Sequence, residues 1–269
     1  MSELTDNFEF KEKYNFYDLV EIVRCLRAPG GCPWDIEQTH ESIKKDFIEE
    51  TYEDIEAINK NSVPMLREEL GDVMMQVIFH SQIETEKGSF NIDDVTDEIA
   101  KKLIIRHPHV FGDVNVSGVD DVLTNWDEIK RQTKKQKNVS ESIASVPREL
   151  PALMRAQKIQ SKAAKVGFDW SDVSGALDKL SEEIDELKQA IDRNDKENTF
   201  EELGDLLFSV VNVSRFIDCD SEEALTAASD KFASRFAVVE ELASQRGIDM
   251  KSTSLEELDK LWDEAKSAE

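Results

Sequence analysis

Apolar residues recur along the chain at intervals of three and four positions, the spacing that places them on one face of an α-helix. Between residues 65 and 79 this apolar stripe consists of Leu66, Leu70, Val73, Met74, Val77 and Ile78. A matching stripe in the second half consists of Phe200, Leu203, Leu206, Leu207, Val210 and Val211. No segment shows the strict alternation of a half-buried β-strand. Glycine and proline are scarce, at 10 and 6 of 269 residues. The pattern predicts an all-α protein.

The two stripes belong to a longer repeat that keeps acidic residues in register. Residues 49–72 read EETYEDIEAINKNSVPMLREELGD, and residues 182–205 read EEIDELKQAIDRNDKENTFEELGD. The acids of the first stretch recur 133 positions later in the second. Between the copies, KKQKNVSESIASVPRELP is rich in charge and serine and is interpreted as a linker. We therefore predict two tandem helical modules, residues 1–139 and residues 140–269.

The spacing of the acids predicts that they converge. Residues three or four apart share a helix face, so Glu50 projects with Glu53, and Glu69 projects with Asp72. Counted outward from Asn61, Glu53 and Glu69 are each eight residues away, and Glu50 and Asp72 are each eleven. If the two helices run antiparallel, the four carboxylates face each other at equal depth. The second copy repeats this symmetry.

Four carboxylates at one point repel each other unless a cation lies between them. Ligands that are all oxygen favour a hard ion, so Mg²⁺ is expected, with Mn²⁺ as a possible substitute. Asp and Glu make up 58 of 269 residues, so a solvated helix face is the competing interpretation of any single acid pair. The second copy at matched spacing favours the metal site.

Two glycines, Gly71 and Gly204, lie inside the acid pairs in mid-helix. Glycine there costs about 1 kcal/mol relative to alanine. Close approach of a ligand or of another backbone explains such a glycine, and a packing requirement explains it equally well.

The composition narrows the possible partners. A formal net charge of −25 argues against binding to nucleic acid or to a membrane surface, because both are polyanions. Three scattered cysteines do not form a disulfide framework. No apolar run reaches the ~20 residues of a membrane span, and the N-terminal sequence MSELTDNFEF does not read as a signal peptide. A cytoplasmic protein is expected.

Together with the acidic repeat, GCPWD at 31–35 and RHPHVF at 106–111 resemble the MazG family in its tandem-domain form. The similarity continues through PRELPALMRAQKIQ and VGFDW to WDEAK near the C-terminus. The resemblance implies all-α modules whose helix hairpins pair into four-helix bundles, commonly as a homodimer. It also implies Mg²⁺-dependent hydrolysis of (d)NTPs to the monophosphate and pyrophosphate, a form of nucleotide-pool housecleaning.

Carried over residue by residue, the resemblance assigns roles in both modules. The implied metal ligands are Glu183, Glu186, Glu202 and Asp205 in the second module, and Glu50, Glu53, Glu69 and Asp72 in the first. The implied substrate-binding residues are Lys179, Lys231, Arg235 and Trp262 in the second module, and Lys102, Arg106 and Trp126 in the first. Glu182 is the chosen candidate for a general base that accepts the proton of the attacking water, and attack by a metal-bound hydroxide without such a base is the alternative. The counterpart of Lys179, 133 positions earlier, is Asp46, with Lys45 one residue away. The second module is therefore predicted to be the principal catalytic one.

Other interpretations compete with this one. A ferritin-like di-iron bundle uses Glu-x-x-His on two helices, and neither acidic hairpin supplies that histidine. A non-catalytic regulator that binds nucleotides or a partner through an acidic face would not need Lys179, Lys231 and Arg235. His107 and His109 suggest zinc, but they have no further Cys or His at ligand spacing and are predicted to be structural.

Overall fold

The computed structural model describes residues 8–119, 121–122, 125–126, 129 and 138–267, and within them it contains helices and turns but no β-strand. The chain divides into two compact units, Met1–Thr133 and Lys134–Glu269. This confirms the prediction of an all-α protein made of tandem helical modules, whereas the boundary after residue 139 stays a prediction. No helix in the described part combines the length and apolar character needed to cross a membrane.

The first unit is built around a long helix hairpin. Its helices are α1 (Phe16–Arg27), α2 (Pro33–Glu37), α3 (His40–Asn59), α4 (Val63–Lys87), α5 (Ile92–Arg106) and α6 (Pro108–Phe111). Helices α3 and α4 form the hairpin, and α1 and α5 pack against α4. The core lies between α1, α3 and α4, where Val23, Ile43 and Ile78 are almost fully buried.

The second unit repeats the hairpin and adds a longer pair of helices. Its helices are α7 (Val139–Ala144), α8 (Ala152–Ala164), α9 (Val173–Asp192), α10 (Lys196–Phe216), α11 (Ser221–Gln245) and α12 (Leu255–Ser267). Helices α9 and α10 form the hairpin, α8 packs on α10, and α11 packs on α12. Val239 and Leu261 are at the centre of the α11–α12 core.

The two hairpins correspond residue for residue from the start of the first helix to the start of the second. Helix α3 covers 40–59 and α9 covers 173–192, while α4 begins at 63 and α10 at 196, so each bound recurs after 133 residues. At the turns, Asn61 and Asn194 adopt left-handed conformations with φ of 50° and 54°. Asparagine tolerates this region better than most residues, because its short side chain can hydrogen-bond locally. In both turns the following backbone N–H reaches back to a buried alanine carbonyl, that of Ala57 or Ala190.

The interpretation of residues 134–151 as a linker is wrong for the second half of this segment. From residue 138 onwards the chain forms α7, with Asn138 as its N-cap. The Lys162 ammonium on α8 donates a hydrogen bond to the Ser142 hydroxyl at 2.6 Å, and Val146 is buried. Local serine and charge content resembled a linker, but packing against α8 makes this part of the second unit.

Both hairpins leave large apolar side chains exposed. On the first hairpin these are Ile48, Tyr52, Ile55, Ile58, Leu70 and Met74. On the second hairpin they are Leu177, Ile184, Ile191, Leu203, Leu207 and Val210. The predicted pairing of hairpins into four-helix bundles would cover such surfaces, and it stays a prediction.

Candidate functional site

The acids of the first hairpin meet as the sequence predicts. Oxygen atoms of Glu50 on α3 and of Glu69 and Asp72 on α4 all lie within 4.8 Å of one another. Glu53 stands next to this group and shares a hydrogen bond with Glu69. The hairpin produces the convergence, because its two helices carry acids at equal distances from the Asn61 turn.

Crowding changes the acidity of this first cluster. Burial raises the pKa of Glu50, and the negative charges of Asp72, Glu53 and Glu69 raise it further. Burial likewise raises the pKa of Glu69, with Glu53 as the next cause. Such shifts mean that the ionised acids cost free energy in this arrangement. A divalent cation would remove that cost, and a set of carboxylate oxygens fits a hard ion.

The second hairpin holds an equivalent cluster. Oxygen atoms of Glu183 and Glu186 on α9 and of Glu202 on α10 lie within 4.8 Å of one another. Burial raises the pKa of Glu202, followed by the charges of Glu186, Glu183 and Asp205. Asp205 is therefore close enough to act on Glu202 electrostatically. The structure thus brings three predicted ligands of each hairpin within 4.8 Å of one another, with Glu53 beside the first group and Asp205 beside the second.

Lys179 lies against the second cluster, which distinguishes it from the first. Its ammonium nitrogen is 2.7 Å from a Glu183 oxygen, 2.9 Å from a Glu182 oxygen and 4.0 Å from a Glu186 oxygen. Its hydrogen bonds to Glu183 and then Glu182 raise the pKa of Lys179. The proposed substrate-binding lysine is therefore held among the acids.

The remaining predicted residues of the second unit lie on α11 and α12. The Arg235 guanidinium is 5.9 Å from the centre of the Trp262 ring system. Phe232 stands 5.1 Å from Trp262, and Phe236 is stacked on Phe232 at 6.0 Å between ring centres. Lys231 is exposed on the same helix. Sequence reasoning identified Arg235 and Trp262 but missed the phenylalanines, which the i, i+4 spacing of two aromatic residues on a charged helix could have revealed.

In the first unit, the counterpart Trp126 contacts His107, and the counterparts Lys102 and Arg106 lie on α5. Lys102 and Arg106 lie on the last turns of α5, and the Arg106 Nε atom is buried without a hydrogen-bond partner among the described residues. The His107 ring contacts Trp126 edge-on, with ring centres 5.2 Å apart. Its Nδ1 lies 2.6 Å from the Leu103 carbonyl oxygen. That backbone hydrogen bond supports a structural role for His107.

A second histidine pair was not predicted. The Nδ1 atoms of His40 on α3 and His80 on α4 are 2.7 Å apart, and His40 Nε2 lies 2.7 Å from a Glu84 oxygen. Because the carboxylate can only accept, His40 donates through Nε2, and in the neutral pair His80 donates to His40 Nδ1. Lys87 and then His40 lower the pKa of Glu84 to about 2. The group ties α3 to α4 at the end of the hairpin opposite the turn.

A known protein domain matches both hairpins. The MazG nucleotide pyrophosphohydrolase domain matches residues 38–111 and 172–240, which contain the two hairpins. A Thermotoga maritima protein, nucleoside triphosphate pyrophosphohydrolase/pyrophosphatase MazG, is 47% identical over 254 residues, covering 94% of this chain and 96% of that protein. An Escherichia coli K12 nucleoside triphosphate pyrophosphohydrolase is 43% identical over 256 residues, covering 93% of this chain and 97% of that protein.

A Bacillus subtilis protein described as uncharacterized, YabN, is 49% identical over 259 residues, which are 95% of this chain but 52% of that protein. The chain belongs to the MazG nucleotide pyrophosphohydrolase family.

Proposed function

We propose that the chain is a Mg²⁺-dependent nucleoside triphosphate pyrophosphohydrolase that cleaves (d)NTPs between the α and β phosphates, giving the (d)NMP and pyrophosphate. Such an enzyme removes unwanted nucleotides from the cellular pool. The observation that carries the proposal is the pair of carboxylate clusters, each on a hairpin that the family domain matches.

The second unit is the proposed principal catalytic module. Glu183, Glu186, Glu202 and Asp205 would hold the metal there, and Mn²⁺ would substitute for Mg²⁺. When bound, a divalent ion neutralises phosphate charge and makes the α-phosphorus easier to attack. In the first unit, the proposed metal ligands are Glu50, Glu53, Glu69 and Asp72.

Glu182 is the proposed general base. Its carboxylate is exposed and lies beside the buried Glu183, so water can reach it. Glu182 would take a proton from a water molecule whose oxygen attacks the α-phosphorus. The bond from the α-phosphorus to the bridging oxygen then breaks, and that oxygen leaves with pyrophosphate. For this, the Lys179 ammonium must move away from Glu182, and the β and γ phosphates offer it an alternative partner.

The cations and aromatic rings of α11 and α12 are the proposed contacts for the rest of the nucleotide. Lys231 and Arg235 lie one helical turn apart, which suits them to the β and γ phosphates. Trp262 is packed beside Arg235 and Phe232, so the exposed Phe232 ring shares with Trp262 the proposed role of stacking on the base. Lys102 and Arg106 are the proposed counterparts in the first unit.

A homodimer is the proposed assembly. The exposed apolar side chains of both hairpins support it, because extended apolar faces are typical of protein–protein interfaces. A second copy would complete four-helix bundles around the acid clusters. A cytoplasmic location stays a prediction of the sequence.

The test is a pyrophosphate-release screen across ribo- and deoxynucleoside triphosphates with Mg²⁺. It compares the wild type with Glu183→Ala, Glu50→Ala and the control Asp185→Ala. Asp185 lies on the same helix as Glu183, but it is exposed and pairs with Lys188 outside the cluster. We expect Glu183→Ala to lose most turnover and Asp185→Ala to retain it. Near-normal rates in Glu183→Ala would contradict the assignment of the main site, and inactivity of the wild type on every nucleotide would favour the non-catalytic regulator.

A further inference from the structure

The two hairpins carry opposite charges at one equivalent position. Helices α3 and α9 match at an offset of 133 residues, so Asp46 and Lys179 occupy the same place, one turn before Glu50 and Glu183 respectively. The surrounding acids are the same in both hairpins. At this position the difference is two units of charge, whereas the preceding position is exchanged in the opposite sense, with Lys45 in the first hairpin and Asp178 in the second.

Lys179 occupies ligand atoms that a metal ion would need. Its ammonium contacts the Glu183 carboxylate, whose side chain is only 5% exposed, while Lys179 itself is 36% exposed. It also contacts Glu182 and approaches Glu186. A buried carboxylate is stable only with a compensating charge, and here the protein supplies that charge itself.

The first cluster has no such internal cation. Among the described residues, no lysine or arginine lies within ion-pair distance of Glu50, Glu53, Glu69 or Asp72, since the lysine pairs of this hairpin involve Glu56 and Glu84. Asp46 adds a further negative charge on the same helix face, one turn from Glu50. The described residues therefore supply no cation that compensates the charge of this cluster.

We infer that the two clusters differ in the condition under which they take a divalent ion: the first binds it without nucleotide, whereas Lys179 keeps the second closed until nucleotide phosphates draw its ammonium away. The inference rests on the proposed function, because it requires a polyphosphate substrate at the second cluster. Lys179 is thus a positioning residue that couples metal binding to nucleotide binding.

The expected size of the effect follows from Coulomb's law. One unit charge about 5 Å from a divalent ion changes the affinity by about tenfold or more, even with the dielectric constant of water. Lys179 also has to be displaced from its hydrogen bonds, which weakens metal binding further. In the presence of nucleotide this penalty disappears, so metal and nucleotide should strengthen each other's binding at the second cluster.

The experiment measures free Mn²⁺ by its electron paramagnetic resonance signal while the full-length protein is titrated without nucleotide. In the wild type we expect one tight Mn²⁺ class per chain, lost in Glu50→Ala and retained in Glu183→Ala. Lys179→Asp should tighten Mn²⁺ binding at the second cluster at least about tenfold, and Asp46→Lys should weaken it at the first by a similar factor. Adding a non-hydrolysable nucleoside triphosphate should give the wild type a second tight class.

Several results would overturn the inference. The first is a tight Mn²⁺ class that disappears in Glu183→Ala but not in Glu50→Ala. The second is two Mn²⁺ classes of equal affinity that Lys179→Asp leaves unchanged. The third is the absence of any tight Mn²⁺ class without nucleotide. Circular dichroism establishes that each variant is folded. Lys179→Met removes the positive charge without adding an acid. It should also tighten Mn²⁺ binding at the second cluster, but by a smaller factor than Lys179→Asp.

Failure of the inference can be separated from failure of the proposed function. If the wild type releases pyrophosphate but its nucleotide-free metal site is the second cluster, only the inference fails. If no nucleotide is hydrolysed and the analogue adds no Mn²⁺ class, the proposed function fails as well. The order of metal affinities is thus measured independently of turnover.

Discussion

Replacing the mid-helix glycines Gly71 and Gly204 by alanine tests whether anything occupies the face of the acid-bearing helices. Both glycines lie inside helices, in α4 and α10, between the two acids of the ELGD motif. A Cβ atom built on either meets no atom within 4 Å among the described residues. The structure therefore offers no internal packing reason for glycine at these positions.

The expected gain is that of helix propensity alone. Alanine is favoured over glycine in a helix interior by about 0.8–1.0 kcal/mol. With no clash to offset it, Gly204→Ala should raise the free energy of unfolding by about 1 kcal/mol and the melting temperature by roughly 2–4 °C. Gly71→Ala should do the same in the first unit. Urea and thermal unfolding, followed by circular dichroism in EDTA, measure both changes.

The same substitution should have the opposite sign at two other glycines. At Gly175, in the first turn of α9, an added Cβ would overlap the Trp170 indole ring. At Gly31 it would overlap the carbonyl oxygens of Cys25 and Leu26, which are backbone atoms and cannot move aside. We expect both alanine variants to be destabilised, because forcing atoms into occupied space typically costs about 1–3 kcal/mol.

A loss of stability in Gly204→Ala would refute this reasoning, since the Cβ would then be meeting something beyond the described residues. Dilution distinguishes the causes, because a clash with a second copy should fade as the assembly dissociates. If stability rises while pyrophosphate release falls, the open face at Gly204 is used by the substrate. The two measurements together decide between the ligand and packing explanations of these glycines.

Two further predictions concern the first unit. The buried Arg27 side chain donates hydrogen bonds to the carbonyl oxygens of Asp35 and Gln38 and pairs with the partly exposed Glu86 carboxylate on α4. Arg27→Met should therefore lower the urea-unfolding free energy by about 3 kcal/mol, whereas Arg24→Met, which removes an exposed pair, should stay within about 0.5 kcal/mol. Since the pKa of Glu84 falls from 4.5 to about 2 on folding, its contribution is complete above pH 4.5 and is lost as the pH falls towards 2. Urea midpoints measured between pH 5 and 2 should fall less steeply in Glu84→Gln than in the wild type, and parallel curves would contradict the prediction.

Much of the fold was readable from the sequence because the signals are local. The 3.6-residue period, the polar turn and the repeated acids predicted both hairpins. Asn61 and Asn194, the centres of symmetry counted from the acids, both adopt left-handed conformations. Local chemistry determines such turns, since few residues besides glycine tolerate that conformation.

What the sequence could not show depends on contacts between distant residues. His40 and His80 are 40 residues apart and meet only because α3 and α4 pack side by side. Whether 134–151 is a linker depends on the fit of α7 against α8, which composition does not encode. Lys179 was assigned to the substrate, although the i, i+3 and i, i+4 spacings to Glu182 and Glu183 already allowed the ion pairs that the structure contains.

The acid clusters of the two hairpins carry the same excess of negative charge, but their immediate surroundings differ in the charge that compensates it. Four acids brought to one point need a compensating cation, because the carboxylates raise each other's pKa values. The second hairpin carries its own cation in Lys179, and the first has Asp46 instead. Since the two hairpins begin and turn at equivalent residues, the fold around the acids does not distinguish their chemistry. The equivalent position occupied by Asp46 in the first hairpin and by Lys179 in the second does distinguish it. We therefore expect a difference in function between the two units to depend on this position more than on any of the eight acids.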